Sequence, residues 1–176
     1  SDVYKRQAMR ILIAVNCAAD IDEILQFSKQ FLRCTSEPPV LLQVLDPSKD
    51  RPPCQNDAVL QKAVELFETH RLQTKVRLGK LAEEILAEVQ EGEFGLVILG
   101  GRPPRILGRV FGKPVGQQVI EGADCSVMIV RGRTGPVRKI LLCDSGAQGS
   151  GLLERFTSQV SGFLDGQEEV TVLHVM

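Results

Sequence analysis

Four cations fall within twelve residues directly after a glycine pair: Arg102, Arg105, Arg109 and Lys113 follow Gly100-Gly101. A guanidinium grips phosphate bidentately without help from the backbone, so this segment is the chain's strongest offer of anion chemistry. The preferred reading is blander, a solvated basic loop lying over a helix N-terminus. A second turn, from Ser145-Gly146 to Gly149-Ser150, has the composition of a phosphate cradle, but helix capping is the commoner reason for such a run. Glu83, Glu84 and Glu88 group carboxylates on one predicted helix, opposite a clean apolar stripe. They read as a solvated face and not as an acid/base set. His70, at a helix end, reads as a partner for the helix dipole. Neither His70 nor His174 has a nucleophile to serve, so no Ser/His/Asp or Cys/His arrangement can be assembled and no catalytic residue is assigned. The five cysteines, at 17, 34, 54, 125 and 143, include no CxxC pair. Zinc and dithiol chemistry both need closely spaced ligands, so no metal site is expected. Cys125 and Cys143 border strand-like runs and are expected as small buried hydrophobes.

The elements that must position these residues follow from periodicity. Ile11–Val15 is a continuous apolar run of strand length, as expected where both faces are covered. Ile21, Ile24, Leu25, Ser28, Phe31 and Leu32 keep helical spacing, with Asp20 or Asp22 suited to cap the start. Glu37-Pro38-Pro39 ends that helix, and Val40–Leu45 is a second strand. Ala58 to Arg71 returns to the helical period, residues 74–78 form a short strand, and Leu81, Ala82, Ile85, Leu86 and Val89 make a helical stripe stopped by Gly92. Leu96–Leu99 and residues 126–130 are further strands, separated by the basic loop and a short helix over roughly 115–122. Strands alternating with helices of this length argue a parallel sheet wound right-handed and covered on both faces.

Residues 1–9, up to Met9, carry no period and read as a tail or expression scar ahead of the domain at 10–131. Residues 132–137 have linker composition. From 138 to 176 the chain begins again: Lys139–Asp144 echoes Ile11–Asn16, Leu152, Leu153, Phe156, Val160 and Phe163 echo the first helix, and Glu169–Val175 echoes Pro39–Leu45. This internal repeat reads as the first β-α-β unit of an incomplete second copy.

Composition narrows the function classes. Hydrophobic residues make up 43% of the chain and charged ones 24%, an ordinary globular balance. A net charge of −1 gives none of the basic excess that duplex binding requires, so no nucleic-acid partner is expected. Apolar runs stop far short of the ~20 residues needed to span a bilayer. Asn16 and Asp20 cut short the one stretch that could start a signal peptide. No membrane partner and a cytoplasmic location are the expectation.

The opening strand with Asn16, the strand end Gln43-Val44-Leu45-Asp46, Gly79-Lys-Leu-Ala-Glu-Glu-Ile-Leu86 leading to Leu96-Val-Ile-Leu-Gly100, and Val115-Gly-Gln-Gln-Val-Ile before Ala123-Asp-Cys-Ser-Val-Met-Ile-Val-Arg131 together resemble the universal stress protein family, of the type with two tandem domains in one chain. The resemblance implies an open five-stranded Rossmann-like α/β sheet of order 3-2-1-4-5, with any ligand at the strand carboxyl ends. There it implies a cofactor-binding crevice bordered by Ala14, Asn16 and Val44 on the first two strands. Leu99, Gly100, Gly101 and Arg102 would follow on the fourth, then Gly112, Lys113 and Val115 at the next helix.

Nucleotide-binding members carry Gly-x-x-Gly, nine residues, then Gly-Ser or Gly-Thr. Against that pattern Gly100 matches the first glycine, Pro103 occupies the second, and Lys113-Pro114 stands in place of the final pair. Asn16 replaces the usual aspartate, which Asp144 restores in the second copy. The pocket is recognisable but degraded. No cofactor is assigned, and ATP is expected to bind weakly if at all. The leading expectation is a stress-response module, not an enzyme, that acts by association. Self-association or an intra-chain pseudo-dimer would run through the outer strand 126–130, alongside a regulatory protein partner of unknown identity. The alternative is an adenine-nucleotide switch, or a nucleotide-dependent enzyme, using the arginine-rich loop. A third reading, a cytoplasmic appendage of a transporter, is disfavoured.

Overall fold

The computed structural model of the chain describes residues 9–15, 21–35, 37–47, 56–67, 72–101, 113–132, 135–144 and 166–174. Strand β1 (Ile11–Val15) is buried at every position. The reason is its place: it lies between β2 (Val40–Leu45) and β4 (Leu96–Gly100), so both edges are paired and both faces covered. With β3 (Gln73–Leu78) outside β2 and β5 (Ser126–Val130) outside β4, the sheet has the order β3-β2-β1-β4-β5 and is parallel throughout. Helices α1 (Ile21–Ser28), α2 (Asn56–Leu66), α3 (Leu81–Gly92) and α4 (Val115–Gly122) alternate with the strands. The expected fold class and strand order are those observed, and strand β3 starts one residue earlier than the sequence suggested.

Because successive side chains in a strand point to opposite faces, the apolar runs split into two cores. Ile11, Ile13, Val15, Leu41, Leu96 and Ile98 pack with Ile24 and Leu25 of α1 and with Ala63 of α2. Leu12, Ala14, Leu42, Val44, Val97 and Leu99 pack with Ala82, Ile85 and Val89 of α3 and with Val119 of α4.

Three local details depart from the sequence reading. Helix α1 tightens into a 3-10 segment over Lys29–Cys34. It does so where the Ser28 hydroxyl turns back to donate to the Ile24 carbonyl at 2.7 Å, a bond that competes with the helical ladder. Helix α3 runs through Gly92 and stops at Glu93, whose φ of 50° takes the left-handed position. Gly92 is there for space, since an added Cβ would lie 2.8 Å from Cδ2 of Phe94. Its carbonyl also accepts from the Arg10 guanidinium, which stacks on the Phe94 ring and pairs with Glu37. The third is a correction: Glu88 is not part of a solvated face but 4% exposed. Edge strand β3 turns Lys75 and Arg77 toward α3, where Glu88 meets the lysine at 2.5 Å and the arginine at 3.1 Å. Glu84 and Glu91 complete the set around Arg77.

Removing one partner of a buried ion pair leaves a charge without compensation. Glu88→Ala is therefore expected to destabilise the chain by ~1–3 kcal/mol, below the ~3–5 kcal/mol of breaking a fully buried pair, because Arg77 keeps two carboxylates and Lys75 stays half in water. Urea denaturation followed by far-UV circular dichroism reads it, and an unchanged midpoint would show the network to be ornamental.

Beyond β5, β6 (Lys139–Asp144) and β7 (Glu169–His174) form a second, two-stranded parallel sheet. Ile140 pairs with Val170 and Leu142 with Val172. These are the repeat counterparts of Leu12 with Val40 and Ala14 with Leu42. Leu142 is buried, while Leu141, Val170, Val172 and Leu173 are exposed. Cys143, expected to be buried, is also exposed. The predicted helix between these strands, like His70 and the turn from Ser145 to Ser150, lies outside the described residues.

Candidate functional site

The carboxyl ends of β1, β2 and β4 open on the same rim of the sheet, a consequence of parallel pairing in register. Ala14, Val44 and Leu99 reach that rim as buried members of the α3/α4 core, so what they offer a ligand is backbone. Asn16, Arg102 and Gly112, together with Arg105 and Arg109, lie outside the described residues. Gly100 and Gly101 close β4, and the Gly101 N–H donates to the Val130 carbonyl at 2.8 Å. Neighbouring side chains crowd both glycines, Gly101 more than Gly100. A Cβ on Gly100 would come 2.6 Å from Cδ1 of Ile24, and one on Gly101 would collide with Ile129 and the Arg131 side chain.

Helix α4 starts over this rim with Pro114 as its N-cap, at φ −56° and ψ 145°, making no side-chain cap bond. The Gln118 N–H donates to the Pro114 carbonyl at 3.1 Å and opens the helical ladder. The N–H groups of Val115, Gly116 and Gln117 have no carbonyl to meet inside the helix and form the positive end of its dipole. Proline supplies neither the fourth N–H of that set nor a hydroxyl. Lys113, counted with the cations of the loop, sits with its ammonium 2.6 Å from the Glu121 carboxylate. That bond, with one from Gln117, holds the Glu121 carboxyl below its usual pKa. Lys113 is thus engaged along α4.

One basic residue on the rim escaped the sequence reading. Arg131 leaves β5 next to Gly101, and no carboxylate among the described residues pairs with it. Its position just after the apolar run Val127–Val130 was the available signal. At the opposite rim, a cavity of about 340 Å³ is bordered by Arg10, Gln73, Lys75, Glu88 and Glu91. Its charges are already matched, Arg10 by Glu37 and Lys75 by Glu88. Among the described residues no group of three His, Cys, Asp or Glu side chains could hold a metal ion, and no helix is long and apolar enough to cross a membrane.

Similarity to known proteins agrees with the architecture. A universal stress protein crystallised with cAMP is 15% identical, covers 71% of this chain and 99% of its own, and superposes with a TM-score of 0.57. A universal stress protein from Archaeoglobus fulgidus is 20% identical, with coverages of 70% and 98% and a TM-score of 0.51. A longer one from Archaeoglobus fulgidus DSM 4304 is 15% identical and extends the match to 96% of this chain and 66% of that one, at a TM-score of 0.69. At such identities the likeness speaks for the fold alone. No curated protein sequence matches this chain. The profile of the universal stress protein family matches residues 9–131, from the tail before β1 to the arginine after β5, and the chain belongs to that family.

Proposed function

We propose that this chain is a stress-response module that works by association and takes no chemical step of its own, with a weakened adenine-nucleotide site on the rim formed by β1, β2, β4 and the start of α4. The observation that carries the reading is the α4 N-cap. The helix presents its positive end to the rim, as a phosphate site would, but Pro114 stands where a donor and a hydroxyl would be needed. The relative bound to cAMP, and a second Archaeoglobus fulgidus structure in complex with dAMP, support adenine nucleotides as the ligand class. The second sheet, on this reading, opens a further copy of the same domain. The module's place is the cytoplasm.

Association is assigned to β5. Among the described residues it is the outer strand of the sheet, paired on one side, and its Val127, Met128 and Ile129 are half-buried. An apolar edge of this kind is stabilised by pairing with another strand. Sedimentation velocity on the full chain should find a dimer that Met128→Glu converts to monomer, and incubation with Mg-ATP should release no phosphate. Release of phosphate with turnover would overturn the non-enzymatic reading. A chain that stays monomeric at high concentration, or a dimer indifferent to Met128→Glu, would overturn the assignment to β5.

A further inference from the structure

We propose that Arg131 is the phosphate-holding cation of this rim, so that the site selects a phosphorylated nucleoside over a bare one. The inference rests on the nucleotide-site reading above and adds to it the residue that reads the phosphate.

Three observations place Arg131 there. Its side chain lies along Gly101 so closely that a Cβ on that glycine would be 2.8 Å from the arginine Cγ. Ile129, two residues earlier and so on the same face of the strand, touches both sides of the rim. It fills the Cβ space of Gly101 at the end of β4, and its Cδ1 would be 2.9 Å from a Cβ on Gly116 in the first turn of α4. Arg131 continues that face one step past the strand end, beside the β4 terminus and on the side of the sheet where α4 begins. An anion drawn to the helix dipole would meet the guanidinium there.

The other described cation of the rim is committed elsewhere. Lys113 is held by Glu121, whereas Arg131 is exposed and has no carboxylate partner among the described residues. Guanidinium geometry also suits the task, because its fork can bridge two phosphate oxygens where an ammonium gives a single point of contact.

The test compares AMP, adenosine and inorganic phosphate by calorimetry on the full chain and on Arg131→Ala, Arg131→Lys and Lys113→Ala, with far-UV circular dichroism confirming that each folds. The wild type should bind AMP more tightly than adenosine. Arg131→Ala should weaken AMP by about 10-fold, the loss expected for one charge-assisted contact, and leave adenosine unchanged. Arg131→Lys should recover part of the loss, and Lys113→Ala should weaken AMP less than Arg131→Ala does. If AMP and adenosine bind the wild type and Arg131→Ala in the same ratio, the assignment of Arg131 is overturned while the nucleotide site stands. If Lys113→Ala produces the loss instead, Lys113 is the phosphate cation and the assignment falls. If phosphate alone binds and neither AMP nor adenosine does, or nothing binds at millimolar concentration, the nucleotide-site reading fails and takes this inference with it.

Discussion

Calorimetric titration of the chain with Mg-ATP is expected to give a Kd of about 100 μM or weaker, and Pro114→Ser is expected to tighten it by about 100-fold. The argument counts donors. Proline at the α4 N-cap leaves three backbone N–H groups facing the rim where four are normal, and it brings no hydroxyl. Hydrogen bonds to a charged phosphate contribute ~1.5–3 kcal/mol each, so losing two costs ~3–6 kcal/mol. The low end of that range alone carries a micromolar site to ~100 μM. Serine at 114 would return the N–H and the hydroxyl together. It would also cap the helix, so the unliganded variant should be more stable by ~0.5–2 kcal/mol. The stability gain and the tighter binding are separate readouts. A capped, stabilised Pro114→Ser chain with unchanged affinity would mean that the phosphate does not sit at α4. Micromolar binding by the unaltered chain would mean that cations had replaced the missing donors.

Ile98→Ala is expected to destabilise the first domain by ~2–5 kcal/mol, out of the ~5–15 kcal/mol typical of a whole domain. Ile98 is fully buried in β4, paired with Ile13 of β1 on one side and Met128 of β5 on the other. Its side chain belongs to the core under α1 and α2. The neighbouring strands are locked by hydrogen bonds and cannot close in, so most of the cavity would remain. Ile98→Val should cost only ~0.5–1.5 kcal/mol, since one methylene is lost. Leu141→Ala, on an exposed position of the second sheet, should change little. Urea midpoints by circular dichroism order the three variants. Equal effects of Ile98→Ala and Leu141→Ala would contradict the burial on which the comparison stands.

Much of this fold can be read directly from the chain because parallel strands buried on both faces leave a plain mark. Ile11–Val15, Val40–Leu45 and Leu96–Leu99 are unbroken apolar runs, and helical stripes lie between them. Periodicity says nothing about which strand sits beside which, and the order 3-2-1-4-5 came from family resemblance. Side-chain partnerships were hidden for a different reason. Glu88 looks like part of a polar helix face until β3 is seen to carry Lys75 and Arg77 against it. Lys113 counts as a loop cation until α4 brings the Glu121 carboxylate, eight residues on, within 2.6 Å of it. The motif points to the loop after β4, while Arg131 reaches the same place from the neighbouring strand. The motif makes Gly100 a place for close backbone approach to phosphate, yet the atoms nearest Gly100 and Gly101 belong to Ile24, Ile129 and Arg131. Spacing along a chain identifies elements, and contact between elements far apart in sequence decides what each residue is for.

The two rims of the five-stranded sheet differ in a way that limits how the protein can grow. On the β3 side Lys75 and Arg77 are held by carboxylates of α3 on one face, where an added strand would meet charge, while the alternate residues Val76 and Leu78 are exposed. The β5 side offers Val127, Met128 and Ile129. On the proposal that copies join through β5, extension by that edge has a valence of one. Two copies joining by the same apolar rim exhaust each other's capacity and close on a twofold axis, whereas head-to-tail stacking of β3 on β5 would build an open filament. On that proposal the ion pairs that tie β3 to α3 would also disfavour a strand laid against the charged face of β3.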